Sequence, residues 1–157
     1  MKKLIALLSA AVLCLALVAC GNKNEPQAED FTMDTAALSA DLQQKVTYPD
    51  ELIPLDSSMV NTLLSPDSVP EGTESVVYMN AVSYIRFAIF TCADEANAKT
   101  LLTTLQGFNE RQIKADYDPE EAGRIKNAVL VQKGPYVVLC VTDDASGAQT
   151  VIDSYCK

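Results

Sequence analysis

The chain has 157 residues, 48% of them hydrophobic and 6% aromatic, and its 12 basic and 21 acidic side chains give a formal charge of −9. So few Lys and Arg against so many acids argue against a nucleic-acid partner, whose binding rests on basic contacts to phosphate. There is no histidine, so Ser-His-Asp and Cys-His catalysis are excluded and the usual zinc sites lose a principal ligand.

The chain opens Met1-Lys2-Lys3 and continues as an apolar run from Leu4 to Ala19, broken only by Ser9. A charged start followed by a short apolar stretch is the pattern of a secretory signal peptide. A transmembrane anchor needs about 20 apolar residues, and this run is shorter before Gly21-Asn22-Lys23-Asn24 ends it. Leu17-Val18-Ala19-Cys20 resembles the bacterial lipobox. That resemblance implies that the Cys20 sulfur is diacylglycerated and that residues 1–19 are removed. Two acyl chains anchor stably where one holds only marginally. Lys2 and Lys3 would leave with the signal, taking the charge from −9 to −11. Such a surface favours solubility and does not suit flat docking on anionic lipid.

Residues 20–32 are expected to form the lipidated cysteine and a flexible tether, since GNKNEPQAEDF is polar with few apolar side chains. One domain is expected over 33–157, within the commonest domain size. Asp34 suits a helix N-cap, and Ala37, Leu38, Leu42 and Val46 follow at helical spacing. ELIPL (51–55) is too short to class, and a second short helix starts near Ser57 and stops at Ser65-Pro66. The segments 75–79 and 84–90 are β-branched and aromatic, which predicts two strands, the second apolar on nearly both faces and therefore internal. A helical stripe follows in Ala98, Leu101, Leu102, Leu105 and Phe108. Asp118-Pro119 then reads as a cap and first residue of another helix. Strands are predicted at 129–132 and 136–142 around a Lys133-Gly134-Pro135 turn, with a final helix through Ala148, Val151, Ile152 and Tyr155.

These elements predict an α+β fold: one two-layer domain with about four strands, mainly antiparallel, packed by helices. The segments 83–102 and 135–152 echo one another as strand, acidic turn and helix, which a ββα duplication or plain recurrence of the motif would explain. Cys92, Cys140 and Cys156 allow at most one internal disulfide, and no C-x-x-C is present. Burial as small hydrophobic side chains is the expected role of Cys92 and Cys140.

Asp116, Asp118, Glu120 and Glu121 suggest a calcium loop, but Glu121 stands where that loop needs glycine. Helix capping and dipole complementation explain these acids more simply. Asp143-Asp144 could be a paired-carboxylate site or the cap of the last helix. Arg86 is alone in an apolar strand, either on the solvent face, which is the expectation, or as an anion-binding group. Tyr117, Tyr136 and Tyr155 could line a ligand face or sit at the edge of the core.

The order Tyr117-Asp118-Pro119-Glu120-Glu121, Lys126-Asn127-Ala128-Val129, Lys133-Gly134-Pro135-Tyr136-Val137-Val138-Leu139 and Asp143-Asp144 resembles an uncharacterised family of small Gram-positive lipoproteins, a domain of unknown function. The resemblance runs from about Met33 to Tyr155 and includes the lipobox. It implies an extracytoplasmic lipoprotein with a single α+β domain, and it transfers no catalytic residue.

The expectation is therefore a non-catalytic binding or accessory domain, held at the membrane through Cys20 and meeting an envelope protein, polymer or small ligand. No cofactor and no metal is expected. The alternative is a carboxylate-based hydrolase of envelope glycans using two of Asp118, Glu120, Glu121, Asp143 and Asp144. It requires two carboxyls about 5–9.5 Å apart in one cleft.

Overall fold

The structure, a computed structural model, describes residues 31–82, 84–115 and 118–157. The expected signal peptide, Cys20 and the tether up to residue 30 lie outside the described residues, as do Asp116 and Tyr117. The ring of Phe31, the first described residue, meets Tyr136 edge-on at 5.7 Å, and Met33 is buried.

Three helix starts follow from local chemistry. The Asp34 carboxylate accepts from Ala37 N–H at 2.9 Å and opens α1 (Thr35–Lys45). Asp118 accepts from Glu120 N–H at 2.9 Å and Pro119 opens α4 (Pro119–Lys126). Asp144 accepts from Gly147 N–H at 2.9 Å and opens α5 (Ala145–Tyr155). Each carboxylate satisfies a backbone donor that has no partner within its helix. The short α2 (Val60–Leu64) follows a 3-10 turn at Ser57–Met59, and α3 runs Glu95–Ala115, through Gly107.

The strands are β1 (Ile53–Leu55), β2 (Glu74–Met79), β3 (Ile85–Thr91), β4 (Val129–Lys133) and β5 (Tyr136–Cys140). They form one antiparallel sheet in the order β1-β2-β3-β5-β4. The fold is α+β, as expected, with one strand more than the four anticipated. The addition is β1, three residues with a central proline and no readable period; its pairing of Pro54 with Tyr78 is what makes it a strand. Proline lacks the N–H that an internal ladder needs and is tolerated at an edge; β1 is an edge.

Helices cover both faces of this sheet, so it is sandwiched rather than backed on one side. Val77, Ala88, Phe90, Val137 and Leu139 pack with Leu64, Leu101, Leu105 and Ile125 from α2, α3 and α4. Phe87, Ile89, Val138 and Cys140 pack with Leu38, Leu42, Ala148 and Ile152 from α1 and α5. This is why β3 and β5 read as nearly continuous apolar runs, as strands buried on both faces do. The echo between 83–102 and 135–152 is not a rotational repeat of the fold. Its helices α3 and α5 lie on opposite faces, whereas a two-fold axis exchanging the antiparallel β3 and β5 would keep them on one.

The β2–β3 register slips between Tyr78 and Met79, which pair with Phe87 and Ile85. Arg86 is the extra residue of a β-bulge. A bulge re-aims a side chain and bends its strand; here Ile85 and Ala88 both join the core under α4, and Arg86 is buried beside them.

Candidate functional site

Arg86 is 1% exposed, which corrects the expectation of a solvent-facing residue. A strand covered on both faces offers no solvent face, and that clue was present in the apolar residues on either side. Burying a charge without partners costs several kcal/mol, so the guanidinium must be paired. Its Nη1 donates to Glu121 Oε1 at 2.7 Å and its Nη2 to Glu121 Oε2 at 3.0 Å, a two-pronged contact. Nη2 also donates to Asp50, in the loop before β1. The Tyr84 ring lies 5.8 Å from the guanidinium carbon. Burial works against the charged form of Arg86, but the bonds from Glu121 and Asp50 outweigh it and hold its pKa above the ordinary arginine value.

Glu121 sits in the first turn of α4, where the sequence suggested a dipole-complementing acid. Instead it is buried, with its carboxylate turned inward to Arg86. It also accepts from Arg124 Nη1 at 3.2 Å. Arg124 extends the network outward: its Nε donates to Asp143 Oδ1 at 2.8 Å, and its Nη2 lies 3.5 Å from Glu120 Oε2. The Asp143 bond above all, working against burial, raises the Arg124 pKa. At the other end Asn80 Nδ2 donates to Asp50 Oδ2 at 3.1 Å. That bond, opposed by burial and aided by Arg86, lowers the Asp50 pKa.

Two guanidiniums thus tie together the bulge, α4, the loop before β1 and the turn before α5, and four carboxylates surround them. Two clefts flank this network. A cleft of about 450 Å³ is lined by Glu120, Gly123, Arg124, Asn127, Thr142, Asp143 and Ala145. A second, of about 270 Å³, is lined by Asp50, Glu51, Ile53, Asn80, Ala81 and Val82.

Of the acids singled out from sequence, Glu120, Glu121 and Asp143 are therefore gathered around Arg124, while Asp118 and Asp144 cap helices. Glu120 and Asp143 line one cleft, and both are paired with Arg124. Glu121 has both oxygens occupied by guanidinium donors, so it has no oxygen free of an arginine. Asp50, Asn80 and Arg124 were missed by sequence reasoning. Asp50 and Asn80 lie in turn-like stretches, and no local pattern marks them as partners of a residue in β3.

Among the described residues no three His, Cys, Asp or Glu side chains group as a metal would require. No described helix is long and apolar enough to cross a membrane. Cys92, Cys140 and Cys156 are free. Cys92 and Cys140 belong to the cores on opposite faces of the sheet. Burial pushes the Cys140 thiol up to about 11, although its contact with the Tyr48 hydroxyl at 3.4 Å acts in the other direction. Tyr136 is buried against α5 and the Tyr155 hydroxyl donates to Asp41 at 2.7 Å, so both serve packing. No protein-family model, curated protein or solved structure matches this chain.

Proposed function

We propose that this protein is a lipid-anchored extracytoplasmic lipoprotein whose domain binds a partner or ligand rather than transforming one. The anchor reading is supported by Leu17-Val18-Ala19-Cys20 at the end of a short apolar run with a dilysine start. The non-catalytic reading is carried by Glu121. The buried carboxylate of the acidic cluster, which a hydrolase would use as its acid, is held by Arg86 and Arg124 through both oxygens. A general acid must reach the leaving group with a proton to give; an arginine-clamped carboxylate serves instead to hold segments together. The resemblance to small Gram-positive lipoproteins agrees with this assignment.

The anchor is tested by mass spectrometry of the membrane fraction. The wild-type chain should begin at a diacylated Cys20, and Cys20→Ala should be released or remain uncleaved. Normal cleavage with unchanged membrane retention in that variant would overturn the assignment.

The hydrolase reading keeps one observation in its favour, the shared cleft of Glu120 and Asp143. Incubation of the full chain with cell-wall glycan tests it. Release of reducing ends that Glu120→Gln and Asp143→Asn both abolish would make the protein an enzyme; no release is the expected result.

A further inference from the structure

We propose that the groove between residues 50–53 and the β2–β3 turn docks a segment of a partner protein in which a cationic side chain neighbours an apolar one. The inference names a surface and a partner class for the binding reading above, and it rests on that reading.

The turn is built with unusual care. Asn80 is 4% exposed, and its Oδ1 accepts from Val82 N–H at 3.2 Å and from Tyr84 N–H at 2.9 Å. Its Nδ2 is bonded to Asp50, so the turn is pinned to the opposite wall of the groove. Beside Asn80, Val82 is 68% exposed. Turn positions favour Gly, Asn, Asp, Ser and Pro, each for a backbone reason. A valine there has poor turn propensity, and at this exposure its side chain does little inside the fold. Ile53, 38% exposed, lines the same groove with Ala81. Single exposed apolar side chains need no explanation; two lining one groove, one of them with its backbone N–H bonded to the buried Asn80, form an anchor site.

Charge supplies the other half of the argument. Among the described residues lining the groove, Asp50 and Glu51 are acidic and none is basic, and Asp50 is paired from beneath with Arg86. Both bonds of Asp50 fall on Oδ2, which leaves Oδ1 to accept. Apolar contact beside the Glu51 carboxylate and the remaining oxygen of Asp50 complements an apolar side chain beside an ammonium or guanidinium. The partner does not extend the sheet, because Pro54 at the centre of β1 has no N–H to offer along that edge. Side chains make the recognition, and a groove of about 270 Å³ holds one or two of them.

The test uses the full-length protein in a neutral detergent and a fluorescently labelled, amidated peptide, Lys-Leu-Lys-Leu-Lys, with Glu-Leu-Glu-Leu-Glu as its counterpart. The expected result is saturable, salt-sensitive binding of the lysine peptide alone. Val82→Ser and Glu51→Lys should each weaken it tenfold or more, while Glu120→Gln, on the other cleft, leaves it unchanged. Both decisive side chains are exposed, and retained thermal unfolding shows that the variants fold. Equal binding of the glutamate peptide, or undiminished binding by Val82→Ser, overturns the proposal. If neither peptide binds and the protein cleaves cell-wall glycan, the binding reading falls with it. If there is no cleavage and the lysine peptide is lost on Glu120→Gln but not on Val82→Ser, only the choice of groove fails.

Discussion

Arg86 and its carboxylate partners differ in how much water they give up, and that difference sets the consequence of removing each. Taking away one partner of a buried pair leaves an uncompensated charge and costs about 3–5 kcal/mol. Arg86→Ala, which leaves the buried Glu121 with only its 3.2 Å contact to Arg124, should lower stability in urea towards this order. The Asp50 side chain is 42% exposed, and water compensates it; Asp50→Asn should cost about 1 kcal/mol, in the range of a single hydrogen bond. Equal losses in the two variants would mean that the pair inside carries no more weight than the one at the rim. Thiol reactivity discriminates in the same way. Cys140 is fully buried with its pKa raised by desolvation, whereas Cys156 is half-buried near the C-terminal end of α5. A thiol reagent at pH 8 should label Cys156 well ahead of Cys140 in the native protein, and labelling at equal rates would contradict this packing. Arg86 was the residue least legible in the sequence. The pairing that explains it spans 35 positions and depends on a bulge, and neither leaves a local trace.

Elements whose reasons are local were legible. Asp34, Asp118-Pro119 and Asp144 announce their helices because a cap and the N–H it satisfies lie within three residues of each other. The apolar run of β3 likewise announced an internal strand, whereas the expected two-layer domain did not foresee that helices cover both faces. β1 was hidden, since three residues acquire an identity only from the strand beside them. Two helical glycines sharpen the point. Gly123 in α4 has nothing within 4 Å of where a Cβ would stand, so Gly123→Ala should stabilise by roughly 0.5–1 kcal/mol through helix propensity. At Gly147 in α5 an added Cβ would collide with the capping carboxylate of Asp144. The same gain is then offset by loss of a cap worth about 0.5–2 kcal/mol, and Gly147→Ala should be neutral or destabilising. Thermal unfolding of the two variants side by side checks this, and similar shifts would show that the cap does not depend on the glycine.

For the molecule as a whole, the absence of histidine removes the group that ordinarily titrates between pH 5 and 8. Stability should therefore be flat across that interval. Below it, Asp50 has a folded pKa under the ordinary 3.8, mainly through Asn80 and Arg86. Its contribution is fully present above the unfolded value and is lost as pH falls through the folded one, so the acid decline should begin near pH 4 and be shallower in Asp50→Asn. At the alkaline end the sign reverses. Cys140 has a raised folded pKa, so its neutral form is favoured in the fold. That contribution is complete below the unfolded value of about 9 and is lost as pH rises towards about 11. Denaturant midpoints from pH 3 to 11 would trace this plateau, and a step between pH 5 and 8 would require another titrating group.

Phe31 sits at the first described position, its ring against Tyr136 and under the Lys133 ammonium, 5.4 Å away. Lys133 and Tyr136 bracket the β4–β5 turn. A pull along the segment preceding Phe31 would therefore enter the fold at that turn, against an aromatic clasp, before α1 is loaded. The clasp would act as a mechanical fuse: in force spectroscopy with one handle at the N-terminus, Phe31→Ala should remove an early, low-force event and leave the main rupture of the sheet unchanged.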